Sequence, residues 1–122
     1  MGRILVLDGD PNTLMFLRTL LEDNGYTVFS SNSYLKAKNL LKVEDVDLVI
    51  LDYLLPEKTG DLVSLEFGDS YAYLFLSSAD PMTLRKVDFI GPVVFKPINS
   101  QDLLNRVASL LSYKNKGFRE GA

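Results

Sequence analysis

Acidic, hydroxyl and basic side chains follow four apolar segments of this chain, each at the point where the segment ends. Asp8, with Asp10 close behind it, follows the first segment, and Asp52 ends a later one. Ser77 and Lys96 come after two further apolar runs. A carboxylate held near a cation can act as a nucleophile toward a phosphoryl group, whose oxygens a lysine and a hydroxyl can neutralise. These residue types therefore point to phosphoryl-transfer chemistry.

The acids alone would repel one another and raise one another's pKa unless a cation lay between them. A hard divalent ion with oxygen ligands, most simply Mg²⁺, would allow Asp52 to stay ionised. Asp10 has a second interpretation, because Asp10-Pro11 is a typical helix start with the acid at the N-cap. Ser77 alone could equally well be a loop hydroxyl, and Lys96 alone would ordinarily be a solvated charge. Chance rarely places all of these groups at the ends of different strands.

The segments that must position these groups alternate between strand-like and helix-like patterns. Short apolar runs predict strands at residues 3–7, 26–29, 47–51, 73–76 and 93–95. Leucines at helical spacing and cap residues predict helices from Asp10-Pro11 to Gly25, after residues 30–33, over 61–67, from Asp80-Pro81 to about residue 87, and from Asn99 or Ser100 onward. We place the domain at residues 1–112 and predict that residues 113–122 form a tail or the start of a linker.

Five strands alternating with helices predict an α/β fold, a doubly wound five-stranded parallel sheet with helices on both faces. The flavodoxin-like order 2-1-3-4-5 places strands 1, 3 and 4 at the centre, and their carboxyl ends form one crevice. Asp8, Asp52 and Ser77 would converge in that crevice, with Lys96 at the end of the neighbouring fifth strand.

The composition is that of a soluble globular domain: 122 residues, 47% of them hydrophobic and 24% charged. No apolar stretch approaches the roughly 20 residues that a membrane helix needs. The chain contains no cysteine and no histidine, which excludes disulfides, thiol and imidazole metal sites and Ser-His catalysis. Its net charge of −3 gives no reason to expect nucleic-acid binding. We expect a cytoplasmic protein with neither a nucleic-acid nor a membrane partner.

Taken together, the motifs resemble the receiver domain of two-component response regulators over about residues 3–111. Four stretches carry this resemblance: Ile4-Leu5-Val6-Leu7-Asp8-Gly9-Asp10-Pro11, Asp47-Leu48-Val49-Ile50-Leu51-Asp52-Tyr53-Leu54-Leu55-Pro56 with Gly60, Leu76-Ser77-Ser78, and Phe95-Lys96-Pro97. Each is weak alone, and the set is highly specific.

The resemblance implies that Asp52 accepts a phosphoryl group from a sensor histidine kinase or a phosphotransfer protein. The chain would then be a signalling module and not an enzyme. The resemblance also implies a Mg²⁺ site at Asp52, supported by Asp8, with the backbone carbonyl of Leu54 as a ligand and Asp10 as a further acid within reach. The output partner is not identified by the sequence, and a homodimer is an open alternative.

Two further roles follow from the same resemblance. Ser77 matches the hydroxyl that follows the phosphate in the family, with Ser78 as the neighbouring alternative. Lys96 matches the phosphate-contacting lysine, and its bond to Pro97 is usually cis in that family.

The chain departs from the family pattern at two positions. The family usually has two adjacent acids after strand 1, and the second binds the metal directly. Here that second position is Gly9, which puts the Mg²⁺ affinity in question unless Asp8 or Asp10 shifts into the gap. The aromatic switch position of the family falls at Val93, and Phe95, two residues further along, is not predicted to replace it. The third and fourth helices also look short.

Three other functions remain alternatives. A degenerate receiver would bind a partner without being phosphorylated. Asp8-Gly9-Asp10 also resembles the first motif of haloacid-dehalogenase-type phosphatases, in which the first Asp is the nucleophile and the second the general acid; Asp52 would then have no role. A flavin or nucleotide carrier ranks last, because the acidic turn after strand 1 would repel phosphate and a glycine-rich fingerprint is absent.

Overall fold

The computed structural model describes the backbone of residues 2–120 and the side chains of residues 2–112. Strands and helices alternate along it, as the apolar pattern predicts. Their bounds are β1 (Arg3–Leu7), α1 (Pro11–Asp23), β2 (Thr27–Ser31), α2 (Tyr34–Val43), β3 (Leu48–Asp52), α3 (Gly60–Phe67), β4 (Ala72–Ser77), α4 (Pro81–Leu84), β5 (Val93–Phe95) and α5 (Ser100–Glu120).

The strands form one parallel sheet in the order β2-β1-β3-β4-β5, which confirms the predicted topology. Strands β1, β3 and β4 are buried along nearly their whole length. A parallel strand covered on both faces needs apolar residues at successive positions, and this explains the continuous aliphatic runs in the sequence.

Alternate residues of each strand pack into two separate hydrophobic cores, because successive side chains of a strand point to opposite faces of the sheet. One core packs Ile4, Val6 and their equivalents in β3 and β4 against α1 and α5. The other packs Leu5, Leu7 and their equivalents against α2 and α3. The helices therefore cover both faces, and the carboxyl ends of the strands remain free to form a site.

Tyr73 ties α3 to the sheet from within the second core. Its ring stacks on Phe75 at 6.1 Å between centroids, and its hydroxyl donates to the carbonyl oxygens of Ser64 and Gly68. The Ser64 carbonyl also accepts the N–H of Gly68, the residue that caps the end of α3, so the Tyr73 hydroxyl holds the last turn of this helix. Burial raises the pKa of the Tyr73 hydroxyl far above its ordinary value. The group therefore stays protonated and donates across the working pH range.

Two helices differ from the sequence prediction. Helix α4 ends at Leu84 and not near residue 87, and the chain then runs without regular structure to β5. Helix α5 continues to Glu120, although residues 113–122 were predicted to form a tail. The apolar repeat stops near Leu111, but no proline follows to end the helix. The boundary at residue 112 stays a prediction, and Gly121 and Ala122 lie outside the described residues.

No helix in the described part of the chain is both long enough and apolar enough to cross a membrane.

Candidate functional site

The register of the sheet brings the two central acids together at its carboxyl edge. Leu7 of β1 pairs with Leu51 of β3, so Asp8, which directly follows β1, and Asp52, the last residue of β3, lie side by side. On the other side of β3, Asp52 pairs with Leu76 of β4. The chain thus places two carboxylates in the crevice that the parallel topology predicts.

Lys96 bridges the two carboxylates. It follows β5 directly, and its backbone N–H donates to the carbonyl oxygen of Ser77 at 2.7 Å. Its Nζ lies 3.0 Å from Asp8 Oδ2 and 3.4 Å from Asp52 Oδ2. The peptide bond from Lys96 to Pro97 is cis, the isomer that the resemblance implied. Three residues far apart in the sequence therefore form one ion-pair cluster.

The two acids differ in accessibility. The Asp8 side chain is 1% exposed, and that of Asp52 is 12% exposed. Both oxygens of Asp8 are engaged, since Oδ1 accepts from the Asp10 N–H at 2.8 Å and Oδ2 accepts from Lys96. An incoming group can therefore reach Asp52 but not Asp8.

Burial raises the pKa of the Asp52 carboxyl, and the charge of Asp8 raises it further, while Lys96 and the N–H of Leu54 act in the opposite direction. Burial alone would lower the pKa of the Lys96 ammonium. The hydrogen bond to Asp8 and the charges of both acids outweigh burial, so the pKa of Lys96 lies above its ordinary value. Lys96 is therefore a fixed positive charge within the site.

A family model of the response regulator receiver domain matches residues 4–108. The chain belongs to this family. The aerobic respiration control protein ArcA of Escherichia coli (strain K12) is 30% identical over 118 residues. The match takes in 89% of this chain and 48% of ArcA, so the chain spans about half the length of that relative.

Solved structures show the same fold. The signal receiver domain of an HD domain-containing protein from Pseudomonas fluorescens superposes with a TM-score of 0.86 at 22% identity, covering 97% of this chain and 92% of that one. The response regulator TrrA of Thermotoga maritima, crystallised in complex with Mg²⁺-BeF, superposes with a TM-score of 0.79 at 27% identity, covering 90% and 99% of the two chains.

In this receiver domain Asp10 lies outside the acid cluster. It caps α1, since its Oδ1 accepts from the N–H of Asn12 at 2.9 Å and its Oδ2 from the hydroxyl of Thr13 at 3.3 Å. An N-cap carboxylate accepts hydrogen bonds from N–H groups that have no partner within the helix. The Asp10 carboxylate makes these bonds and is therefore not directed toward Asp8 and Asp52. Of the two interpretations of Asp10, the cap is the one found.

Ser77 and Ser78 differ sharply in burial, which separates the two candidates for the hydroxyl role. Ser77 is fully buried at the end of β4, whereas Ser78 is exposed. Ser77 Oγ accepts a hydrogen bond from the N–H of Ala79 at 2.9 Å. Its position beside the partner of Asp52 in the sheet makes Ser77 the better candidate, although its role stays a prediction.

The loop after β3 is held tightly against the strand end. A Cβ at Gly60 would lie 2.6 Å from the carbonyl oxygen of Asp52, so only glycine permits α3 to begin this close to the acid. The N–H of Gly60 donates to the Tyr53 carbonyl at 2.7 Å. The N–H of Leu54 acts to lower the pKa of the Asp52 carboxyl. The assignment of the Leu54 carbonyl as a metal ligand stays a prediction.

The sequence did not foresee the aromatic cluster next to the site. Val93 has no ring, and Phe95 is 38% exposed at the sheet edge. Phe89, from the irregular segment after α4, instead packs on Phe75 at 4.8 Å and on Tyr53 at 5.6 Å between ring centroids. This contact forms because the segment after α4 folds back over the sheet. The residues around Phe89 show no local sequence pattern that would predict it.

Across the residues that the structure describes, no three acidic side chains converge in a way that could hold a metal ion. Asp8 and Asp52 are available only as a pair that Lys96 already bridges, and Gly9 supplies no ligand. Receiver domains bind Mg²⁺ as a family, and in this one the residues that meet where such an ion would sit are two carboxylates and a lysine.

Proposed function

We propose that this receiver domain accepts a phosphoryl group on Asp52 from a histidine kinase or a phosphotransfer protein. The observation that carries the proposal is the Lys96 ammonium held between Asp8 and a partly accessible Asp52. A carboxylate with a fixed cation beside it, in a crevice open to solvent, has what an in-line attack on phosphorus requires. Family membership supports the same assignment.

In the proposed step an oxygen of Asp52 attacks the phosphorus of a phosphohistidine. The new O–P bond forms as the P–N bond breaks, and its electron pair returns to the imidazole of the donor. Lys96 is placed to neutralise charge on the transferring oxygens. Ser77, which accepts a hydrogen bond from Ala79 and in the described structure donates to no other residue, would donate its own proton to a phosphoryl oxygen.

The geometry gives little support to the phosphatase alternative. Its nucleophile would be Asp8, which is buried and has both oxygens engaged. Its general acid would be Asp10, whose carboxylate caps α1. Neither residue is free to take the required role.

Acetyl phosphate supplied with Mg²⁺ in excess is expected to give a single phosphoryl adduct, detected by intact mass. Reduction of the acyl phosphate with borohydride should convert residue 52 to homoserine, which peptide mapping locates. Asp69→Asn is the matched control, because Asp69 is exposed and precedes β4 at the opposite edge of the sheet. A folded protein without any adduct would overturn the proposal and leave a degenerate receiver in its place.

A donor protein must cover the surface that borders Asp52, and one part of that border is apolar. A pocket of about 240 Å³ lies beside Lys96, lined by Asn12, Thr13, Phe16, Lys96, Pro97 and Ile98. Phe16 is 42% exposed there, and Met15 on the same helix is 71% exposed. We propose that the donor packs an apolar helix face against Phe16.

Phe16→Ala is expected to slow transfer from a phosphorylated histidine-containing donor protein by about tenfold, the effect of losing one apolar interface anchor. The rate with acetyl phosphate is the internal reference, since a small donor needs no docking surface. Leu65→Ala is the matched control, because Leu65 is equally apolar and 67% exposed on α3, on the other face of the sheet. Equal slowing with both donors would contradict the docking assignment.

A further inference from the structure

We infer that the Lys96 ammonium is the resting cation of this site in place of a divalent metal ion, and that this receiver domain therefore binds Mg²⁺ weakly. The inference rests on the proposed function only in taking Asp52 as the functional carboxylate. It concerns what neutralises the acids before any phosphoryl group arrives.

The carboxylate oxygens are already occupied. Asp8 Oδ1 accepts from the Asp10 N–H, and Asp8 Oδ2 accepts from Lys96 Nζ at 3.0 Å. Asp52 Oδ2 lies 3.4 Å from the same Nζ. A divalent ion would have to displace a partly buried, hydrogen-bonded ammonium from between its two partners. That displacement is costly, because it would separate an established, largely buried ion pair.

The cluster of Asp8, Asp52 and Lys96 also carries too little negative charge to bind a divalent ion tightly. Two carboxylates and one ammonium leave a net charge of −1, and affinity for hard cations follows the number of charged oxygen ligands. The third carboxylate is missing at Gly9, and the nearby Asp10 is committed to the cap of α1. The weakness therefore comes from an absent ligand as well as from a competing cation.

The backbone at Gly9 would accept the missing acid. A Cβ there would meet only Pro56 Cδ, at 3.9 Å, which is an ordinary van der Waals contact. Gly9 does not have a positive φ. A side chain at position 9 would border the loop that follows Asp52, since Pro56 belongs to that loop. A single substitution should therefore create the metal site that the present sequence lacks.

Direct titration of the intact protein with Mg²⁺, followed by isothermal calorimetry, tests the inference. Gly9→Asp is expected to bind Mg²⁺ at least about tenfold more tightly than the natural sequence, because ligand charge tunes such affinities over orders of magnitude. Gly9→Asn is the matched control, with the same shape and no charge, and should stay close to the natural sequence. A natural sequence that binds Mg²⁺ as tightly as Gly9→Asp would overturn the inference.

Thermal unfolding provides a second readout. Without metal, the added carboxylate of Gly9→Asp repels Asp8 and Asp52 and lowers the Tm, and Mg²⁺ restores it. The Tm of the natural sequence should hardly respond to Mg²⁺. A Tm that rises with Mg²⁺ equally in both proteins would contradict the inference.

Lys96→Met keeps the test decisive if Gly9→Asp does not fold. The change removes the ammonium and keeps most of the side-chain length, so Mg²⁺ should bind several-fold more tightly than to the natural sequence. An unchanged affinity would show that Lys96 is not the competing cation.

None of these titrations involves phosphorylation. A missing adduct on Asp52 would thus overturn the proposed function alone, and tight Mg²⁺ binding by the natural sequence would overturn this inference alone.

Discussion

Asp52→Asn is expected to abolish the phosphoryl adduct and at the same time to stabilise the folded protein at neutral pH. The amide cannot attack phosphorus, so the adduct is lost completely. The gain in stability has a separate cause, since the native environment disfavours the Asp52 charge. Burial and the neighbouring Asp8 raise its pKa despite the attraction of Lys96 and the Leu54 N–H. Removing that charge should raise the free energy of unfolding by about 1 kcal/mol, the size of other single substitutions that relieve an unfavourable charge.

The stability difference should depend on pH in a defined direction. The unfolded carboxyl titrates near 3.8, and the folded one titrates at a higher pH. Below 3.8 the acid is protonated in both states, so the natural protein and Asp52→Asn should be about equally stable. As the pH rises through the interval up to the folded pKa, the natural protein loses stability and the variant does not.

Urea unfolding of both proteins across this pH range measures the effect. Asp69→Asn is the control, because its carboxylate is exposed and distant from the cluster. An Asp52→Asn protein that is less stable than the natural one at neutral pH would show that the site favours the charge, contrary to the raised pKa.

Gly91→Ala is expected to be the most destabilising small substitution considered in this domain. A Cβ at residue 91 would overlap the carbonyl oxygen of Tyr73, which belongs to β4 and cannot move away as a side-chain tip can. The segment is also anchored, because the Phe75 N–H donates to the Pro92 carbonyl at 2.9 Å. Overpacking against fixed backbone should cost about 3 kcal/mol, a large share of the total stability of a small domain.

The urea midpoint of unfolding measures this loss. Gly9→Ala is the matched control, since the same methyl group at position 9 meets only Pro56 Cδ at an ordinary distance. Gly9→Ala should be neutral or slightly stabilising, because it reduces the freedom of the unfolded chain. Equal midpoints for the two alanine variants would contradict the close packing of residue 91 on β4.

The amino-acid sequence alone determined the architecture and the positions of the candidate site residues. Apolar runs of strand length, broken by cap residues such as Asp10 and by glycines, are local signals, and local signals suffice to order strands and helices in an α/β fold. The placement of Asp8, Asp52, Ser77 and Lys96 at strand ends followed from the same signals. The parallel order 2-1-3-4-5 then brought those ends to one edge.

The tertiary structure decided how these groups share their partners. Whether Asp10 joins the acids or caps α1 depends on competing hydrogen bonds, and no spacing reveals the outcome. The lysine that bridges both carboxylates, the Phe89 ring on Tyr53 and the close approach of Gly91 to Tyr73 all come from contacts between distant segments. Such contacts depend on how whole helices and strands pack together. A local pattern of residues along the sequence does not specify that packing.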